Sequence, residues 1–318
     1  MGRTLIFFGF LILGTSAFGA LKDTAYGIYS LTKIADLGLE KDKSWINPNI
    51  TGVIVRTWWA NIQPNAPGEY DWSYIDEGVT LAQKYNKKIA ITIVAGIHSP
   101  GWIYTKGAQK FTIQGVGAMP CPWDSVFQSY WQQFVLAFGA RYDSVQVVSY
   151  ITAGGPGRTE ECYLCKTKAD VQELNNDGGV QVWIQAAETI AGFYSQAFPT
   201  TPFLYADGEP IPGDKTDYGT VVNYCVNIFG SSFGIKSDGL YPHYSMESYG
   251  ATEIPVLSPT HVVGFQDLRP FKNSQTLQET LDIGIELKGH FIEVSTADVK
   301  DAGEQTVIAH EQSQLVGQ

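Results

Sequence analysis

The sequence predicts an α/β fold, a single (β/α)8 barrel with long loops at the carboxyl ends of its strands, and three observations carry that expectation. First, residues 52–102 read as strand, helix, strand. GVIVR and IAITIV are short apolar runs with β-branched residues, and between them Ile75, Val79, Ala82 and Tyr85 share one helical face. That order makes a parallel sheet. Second, further strand and helix patterns continue to the end of the chain. Third, aromatic and polar residues follow the strands, Arg56, Trp58 and Trp59 after one and His98 and Trp102 after the next. In a parallel barrel those strand ends form the ligand-binding rim.

In chain order, residues 1–20 pair a single basic residue, Arg3, with an apolar run over 5–13 and small residues at Ala17, Gly19 and Ala20. This is the pattern of a secretory signal peptide, with an uncleaved signal anchor as the alternative. The run is short for a membrane span of about 20 residues, and no later segment resembles one, so the mature chain, 21–318, is expected to be soluble, secreted or periplasmic. Strands are expected at 27–31, 53–56, 89–94, 147–151, 203–206, 238–241, 262–265 and 291–294, with outer helices clearest at 74–85, 125–142, 180–197, 218–228 and 277–287. The roughly 298 residues suit one barrel, which typically takes about 250. Three connections, 97–119, 153–170 and 241–260, are longer than barrel loops usually are, and all follow strand carboxyl ends.

Composition narrows the partners. With a formal net charge of −11 and no extended basic cluster, nucleic acid and anionic membrane surfaces are disfavoured. There is neither a GxxxxGK[ST] loop nor a dinucleotide fingerprint, so no organic cofactor is expected. Aromatic residues make up 13 % of the chain, enough to supply stacking platforms for a neutral ligand as well as core. Cys121, Cys162, Cys165 and Cys225 could form two disulfides in an oxidising compartment. Cys162 and Cys165 read as a local disulfide or two packed thiols rather than a metal site, because no second CxxC and no nearby histidine accompany them. Asn49-Ile50-Thr51 is a lone glycosylation sequon.

Cleaving a glycosidic bond needs two carboxyl groups flanking it, one to give a proton and one to attack or to activate water. Two candidates follow predicted strands. Glu160-Glu161 lies in GGPGRTEECYL after the fourth, where the glycines let the backbone turn sharply, and adjacency means that both side chains will not usually face one cleft. Glu293 lies within the eighth, flanked by Phe291, Ile292 and Val294, where an unpaired carboxylate would be costly. Alternation places it on the same face as Phe291, so it either points into the barrel mouth, points outward, or serves a structural ion pair, Arg56 being one possible partner. Trp58, Trp59 and Trp102 are candidates to stack on a sugar ring, and Arg56, His98, Asp207, Tyr241, His243 and Gln266 are candidates to line the site. No Ser, His, Asp order suggests a nucleophile elbow.

The run VRTWWANIQP, then PGEYDWSYID, then HSPGW resembles the second-to-third-strand region of retaining (β/α)8 glycoside hydrolases of the β-galactosidase and cellulase superfamily. FIEV with the following Asp298 is similar to the end of small β-galactosidase-like proteins, and the resemblance spans about 27–299. It implies an acid/base glutamate after the fourth strand, carried over to Glu161 through the TxExxL pattern of Thr159 to Leu164, and a nucleophile carried over to Glu293. In the superfamily the nucleophile lies on the seventh strand, whereas Glu293 falls on the eighth and the seventh ends in Gln266-Asp267. The fourth-strand glutamate there normally follows an asparagine, replaced here by GGPGRT. The expected activity is hydrolysis of a neutral oligo- or polysaccharide without metal or cofactor. The rivals are a barrel that binds carbohydrate without cleaving it and a structural protein that kept only the fold.

Overall fold

A computed structural model describes residues 20–318 except 24–25, 36–37, 269 and 272; the expected leader, residues 1–19, therefore lies outside the described residues. Eight parallel strands close into one barrel: β1 (Gly27–Leu31), β2 (Gly52–Trp58), β3 (Lys88–Val94), β4 (Val148–Thr152), β5 (Phe203–Ala206), β6 (Phe233–Leu240), β7 (Val263–Asp267) and β8 (Phe291–Ser295). Parallel pairing of β1 with β8 completes the ring, with Tyr29 opposite Glu293. Each strand is followed by a helix on the outside: Ser73–Tyr85, Ser125–Tyr142, Val180–Ala197, Thr216–Phe229, Tyr249–Leu257, Ser274–Glu286 and Gln305–Val316 after β2 to β8, and two 3-10 turns, Leu39–Lys41 and Lys43–Ile46, after β1. Among the described residues no helix is long and apolar enough to cross a membrane.

Strand alternation sorts the side chains into two cores. Those pointing outward, such as Val53, Val55, Ile89, Ile91, Phe203 and Phe265, join the helices in the larger core. Those pointing inward, Tyr29, Ile54, Ala90, Tyr150, Leu204, Val262 and Phe291, fill the lumen with a second apolar layer. Tyr150 and Phe291 stack at 4.3 Å, Tyr29 meets Tyr150 edge-on at 5.5 Å, and the Tyr29 hydroxyl donates to Ser149 Oγ at 3.0 Å. The next inward positions toward the carboxyl ends are Arg56, Thr92, Thr152, Ala206, Lys236, Gln266 and Glu293, so the lumen changes from apolar to polar within one layer.

The sixth strand departs from expectation: it begins at Phe233, five residues before the expected start. Gly234, Lys236 and Asp238 in FGIKSDGL imitate a turn, yet each has a strand role. A side chain at Gly234 would collide with the Val262 carbonyl just before β7, and Lys236 and Asp238 pair with each other inside the lumen. The three long connections also carry structure of their own: a hairpin, Lys110–Ile113 with Gly117–Pro120, in the first; helix Lys168–Asn176 at the end of the second; and helix Tyr249–Leu257 in the third. The disulfide expectation is corrected. Cys121, Cys162, Cys165 and Cys225 are four free, buried thiols, and burial pushes every one of them above the ordinary thiol range.

Candidate active site

The mouth of the barrel is organised by the loop after β4. Gly155 adopts φ 118°, a left-handed conformation that glycine accepts freely, and a Cβ there would strike the Trp131 indole. The Pro156 carbonyl accepts from Trp183 Nε1 at 2.9 Å, and the Ile97 amide donates to the Arg158 carbonyl at 3.0 Å, which ties the loop to its surroundings. Glu161 then pairs in parallel with Ala206, adding a short extended stretch beside the end of β5. In an extended chain neighbouring side chains diverge. Glu160 turns to Arg56 of β2, with which it forms a buried ion pair; burial raises the pKa of both Asp207 and Asp238, and the charge of Glu161 adds to each shift. The Thr159 hydroxyl donates to Glu161, which remains partly exposed.

Glu293 points inward, as alternation with Phe291 allowed. It is 0 % exposed, accepts from the Tyr150 hydroxyl at 2.9 Å and from Lys236 Nζ at 2.9 Å, and so keeps both oxygens occupied. Arg56 is not its partner; the ion pair comes from Lys236, two strands away. The same ammonium lies 3.0 Å from Asp238 and 3.2 Å from Gln266 Oε1. Asp207 accepts from Ser237 Oγ at 2.6 Å and from the Asp238 amide at 3.1 Å. Burial is the main reason that the Asp238 carboxyl is held up at about 8; Lys236 opposes the shift, and Glu161, Glu293 and Asp207 add to it. Lys236 is shifted upward as well, because the charges of Asp238 and Glu293 outweigh its desolvation.

The remaining expected residues divide. Trp58 is partly exposed and stacks flat on His98, centroids 4.5 Å apart and planes within 4°, and burial lowers the His98 pKa. Tyr241 and His243 meet edge-on at 6.3 Å, with His243 exposed. One tryptophan is corrected. Trp59 opens a short helix and is wholly buried, 4.9 Å from Trp131, with its indole N–H donated to Gln63 Oε1 at 2.9 Å. Trp59 therefore belongs to core packing rather than to a sugar platform, whereas Trp102 packs edge-on against it at 5.5 Å, donates to the Gln63 carbonyl at 2.7 Å and remains partly exposed.

Lys236 and Asp238 were missed by the sequence reading. The signal available was a lysine and an aspartate at i and i+2 in an otherwise buried apolar stretch, since i and i+2 share a strand face. The sequence also contains a bare GxSxG match, Gly230-Ser231-Ser232-Phe233-Gly234. It leads from a helix into β6 at the amino end of the barrel, the reverse of a strand-to-helix elbow, and lies away from the acids.

The hollow beside Asp207 is small, about 100 Å³, and is lined by Tyr163, Tyr218 and Tyr249 among others. A larger hollow of about 480 Å³ opens at the opposite, amino end, between Lys22, Lys88, Asp143 and Thr200.

No family model matches the chain, and no curated protein matches it in sequence. Among solved structures, the catalytic domain of the β-amylase of Paenibacillus polymyxa superposes with a TM-score of 0.62 at 11 % identity, covering 92 % of this chain and 98 % of that one. The β-galactosidase of the psychrophilic Marinomonas ef1 gives a TM-score of 0.60 at 8 % identity over 90 % of this chain. The chain spans 59 % of that enzyme's length. The (β/α)8 architecture is therefore one that glycoside hydrolases share with this protein.

Proposed function

We propose that the protein is a secreted glycoside hydrolase acting on a neutral oligo- or polysaccharide at the carboxyl mouth of the barrel. Its leader pattern supports export, and the glycosidase-like fold supports the substrate class. The observation that carries the reading is the pairing of Asp238 and Glu293 with the Lys236 ammonium at 3.0 and 2.9 Å, with Asp207 bonded to Ser237 and to the Asp238 amide beside them and the charge of Glu161 felt by both aspartates. Glu293, oriented by Tyr150 and Lys236, is the proposed nucleophile, and the partly exposed Glu161 the proposed acid/base. Glu160 fits that second role poorly because a guanidinium already holds it. Trp58 and His98 would form one wall of the sugar site, and Gln266 would reach a hydroxyl.

In this mechanism the Glu293 carboxylate attacks the anomeric carbon while Glu161 gives its proton to the departing glycosidic oxygen. Water, relieved of a proton by Glu161, then releases the sugar. Retention requires carboxyls about 5 Å apart, and about 6.5–9.5 Å would instead leave room for direct attack by water. The experiment is release of 4-nitrophenol from a panel of nitrophenyl glycosides by the full chain, with Glu161→Gln and Glu293→Gln alongside. Each variant should lose about 10²–10⁴-fold in kcat while remaining folded.

The complete burial of Glu293 favours a second reading, a barrel that holds carbohydrate at its rim without cleaving it. That reading gains if no glycoside is turned over while oligosaccharides still quench the fluorescence of wild type and leave Trp58→Ala unaffected.

A further inference from the structure

The barrel mouth holds more acids than cations. Facing Asp238 are Lys236 on its own strand, Asp207 from β5, Glu293 from β8, Glu161 from the loop after β4, and the hydroxyl or thiol groups of Tyr150, Tyr218, Tyr244 and Cys162. Arg56 is the other cation within reach, and it is committed to Glu160. Lys236 thus remains as the counter-charge for both Glu293 and Asp238, at 2.9 and 3.0 Å.

The two carboxyls are not treated equally. Glu293 has both oxygens hydrogen-bonded, one to Lys236 and the other to Tyr150. Both Asp238 oxygens lack a hydrogen bond among the described residues, although the side chain is only 2 % exposed. Two like charges held by one cation in a dry pocket repel, and the group with fewer donors takes the proton.

We propose that Lys236 is a positioning residue that fixes the negative charge on Glu293 and leaves Asp238 as a neutral carboxylic acid, the hydrogen-bond donor that the mouth offers to an oxygen of a neutral sugar. Its role toward a sugar rests on the glycosidase reading; its protonation does not. A donor at this position also matches the acidic surroundings, which disfavour a uronate or phosphorylated ligand. The direction of the Asp238 shift, toward about 8, agrees with this partition.

Isotope-edited infrared spectroscopy of the full chain, labelled at aspartate carboxyl carbons and measured without substrate, tests the assignment. At pH 6.5 the difference between wild type and Asp238→Asn should contain the carbonyl band of one protonated carboxylic acid. Asp267 is buried and raised too, and it cancels in this difference because both proteins retain it. Glu293→Gln supplies the second measurement: with its rival gone, Lys236 serves Asp238 alone, and the Asp238 band should disappear at the same pH. A wild-type difference containing only carboxylate bands, or an unchanged acid band in Glu293→Gln, overturns the proposal. Because no turnover is read, loss of the glycosidase reading would leave this result standing, and the converse holds equally.

Discussion

Single side chains at the mouth differ in what they can carry, and the Arg56–Glu160 pair shows it most directly. Both are largely buried, so removing one leaves the other charged in a poor solvent. Arg56→Met should cost about 3 kcal/mol in urea denaturation, and adding Glu160→Gln to that variant should recover a good part of it. Glu293 was legible in the sequence because a carboxylate set between Phe, Ile and Val must either find a partner or work. Which partner was not legible, since Lys236, 57 positions earlier in the chain, reaches it only because β6 and β8 both flank β7. Trp58 and Trp59 look alike in sequence, but a strand-to-helix switch between them sends the first to the mouth and the second into the core.

At the scale of elements, the helices were the readable part. Helices Ser125–Tyr142 and Val180–Ala197 match their expected limits because their apolar faces repeat at helical spacing and Gly or Asp stands before each. Strand β6 was misplaced because a barrel interior accepts glycine, lysine and aspartate where an ordinary buried strand would not. Helix Gln305–Val316 was not anticipated; its Gln312 accepts from the Ile28 amide at 2.7 Å and thereby fastens the end of the chain to β1, a contact with no local signature. The loop after β4 is the element on which the proposed acid/base depends, and Gly155 is its pivot. Gly155→Ala should destabilise the fold by about 1–3 kcal/mol, since it meets both a left-handed φ and the Trp131 indole. It should also weaken turnover more than Gly101→Ala does, Gly101 having open space around it.

For the whole molecule, the buried acids make stability a function of pH. Asp267 sits opposite Gln266 in the strand alternation and accepts from the Ser295 amide at 2.9 Å; burial, only partly offset by that bond, raises it to about 8. Below pH 4 it is protonated in both folded and unfolded chains. Between about 4 and 8 the unfolded chain gives up the proton and the folded one keeps it, so stability falls as pH rises, by at most about 1.4 kcal/mol per unit. Above 8 the loss is complete. Asp267→Asn keeps an acceptor for Ser295 and should flatten that slope, raising the urea midpoint at pH 8.5 relative to wild type while changing it little at pH 4.

The aromatic layer of Tyr29, Tyr150 and Phe291 has its own consequence at this scale. It is a septum: its wholly buried side chains lie between the acidic mouth and the amino end, where the hollow near Lys22 and Lys88 opens. The amino face is thus available as an attachment side. A chain anchored to a solid support through Lys88 would keep its opposite end sterically free.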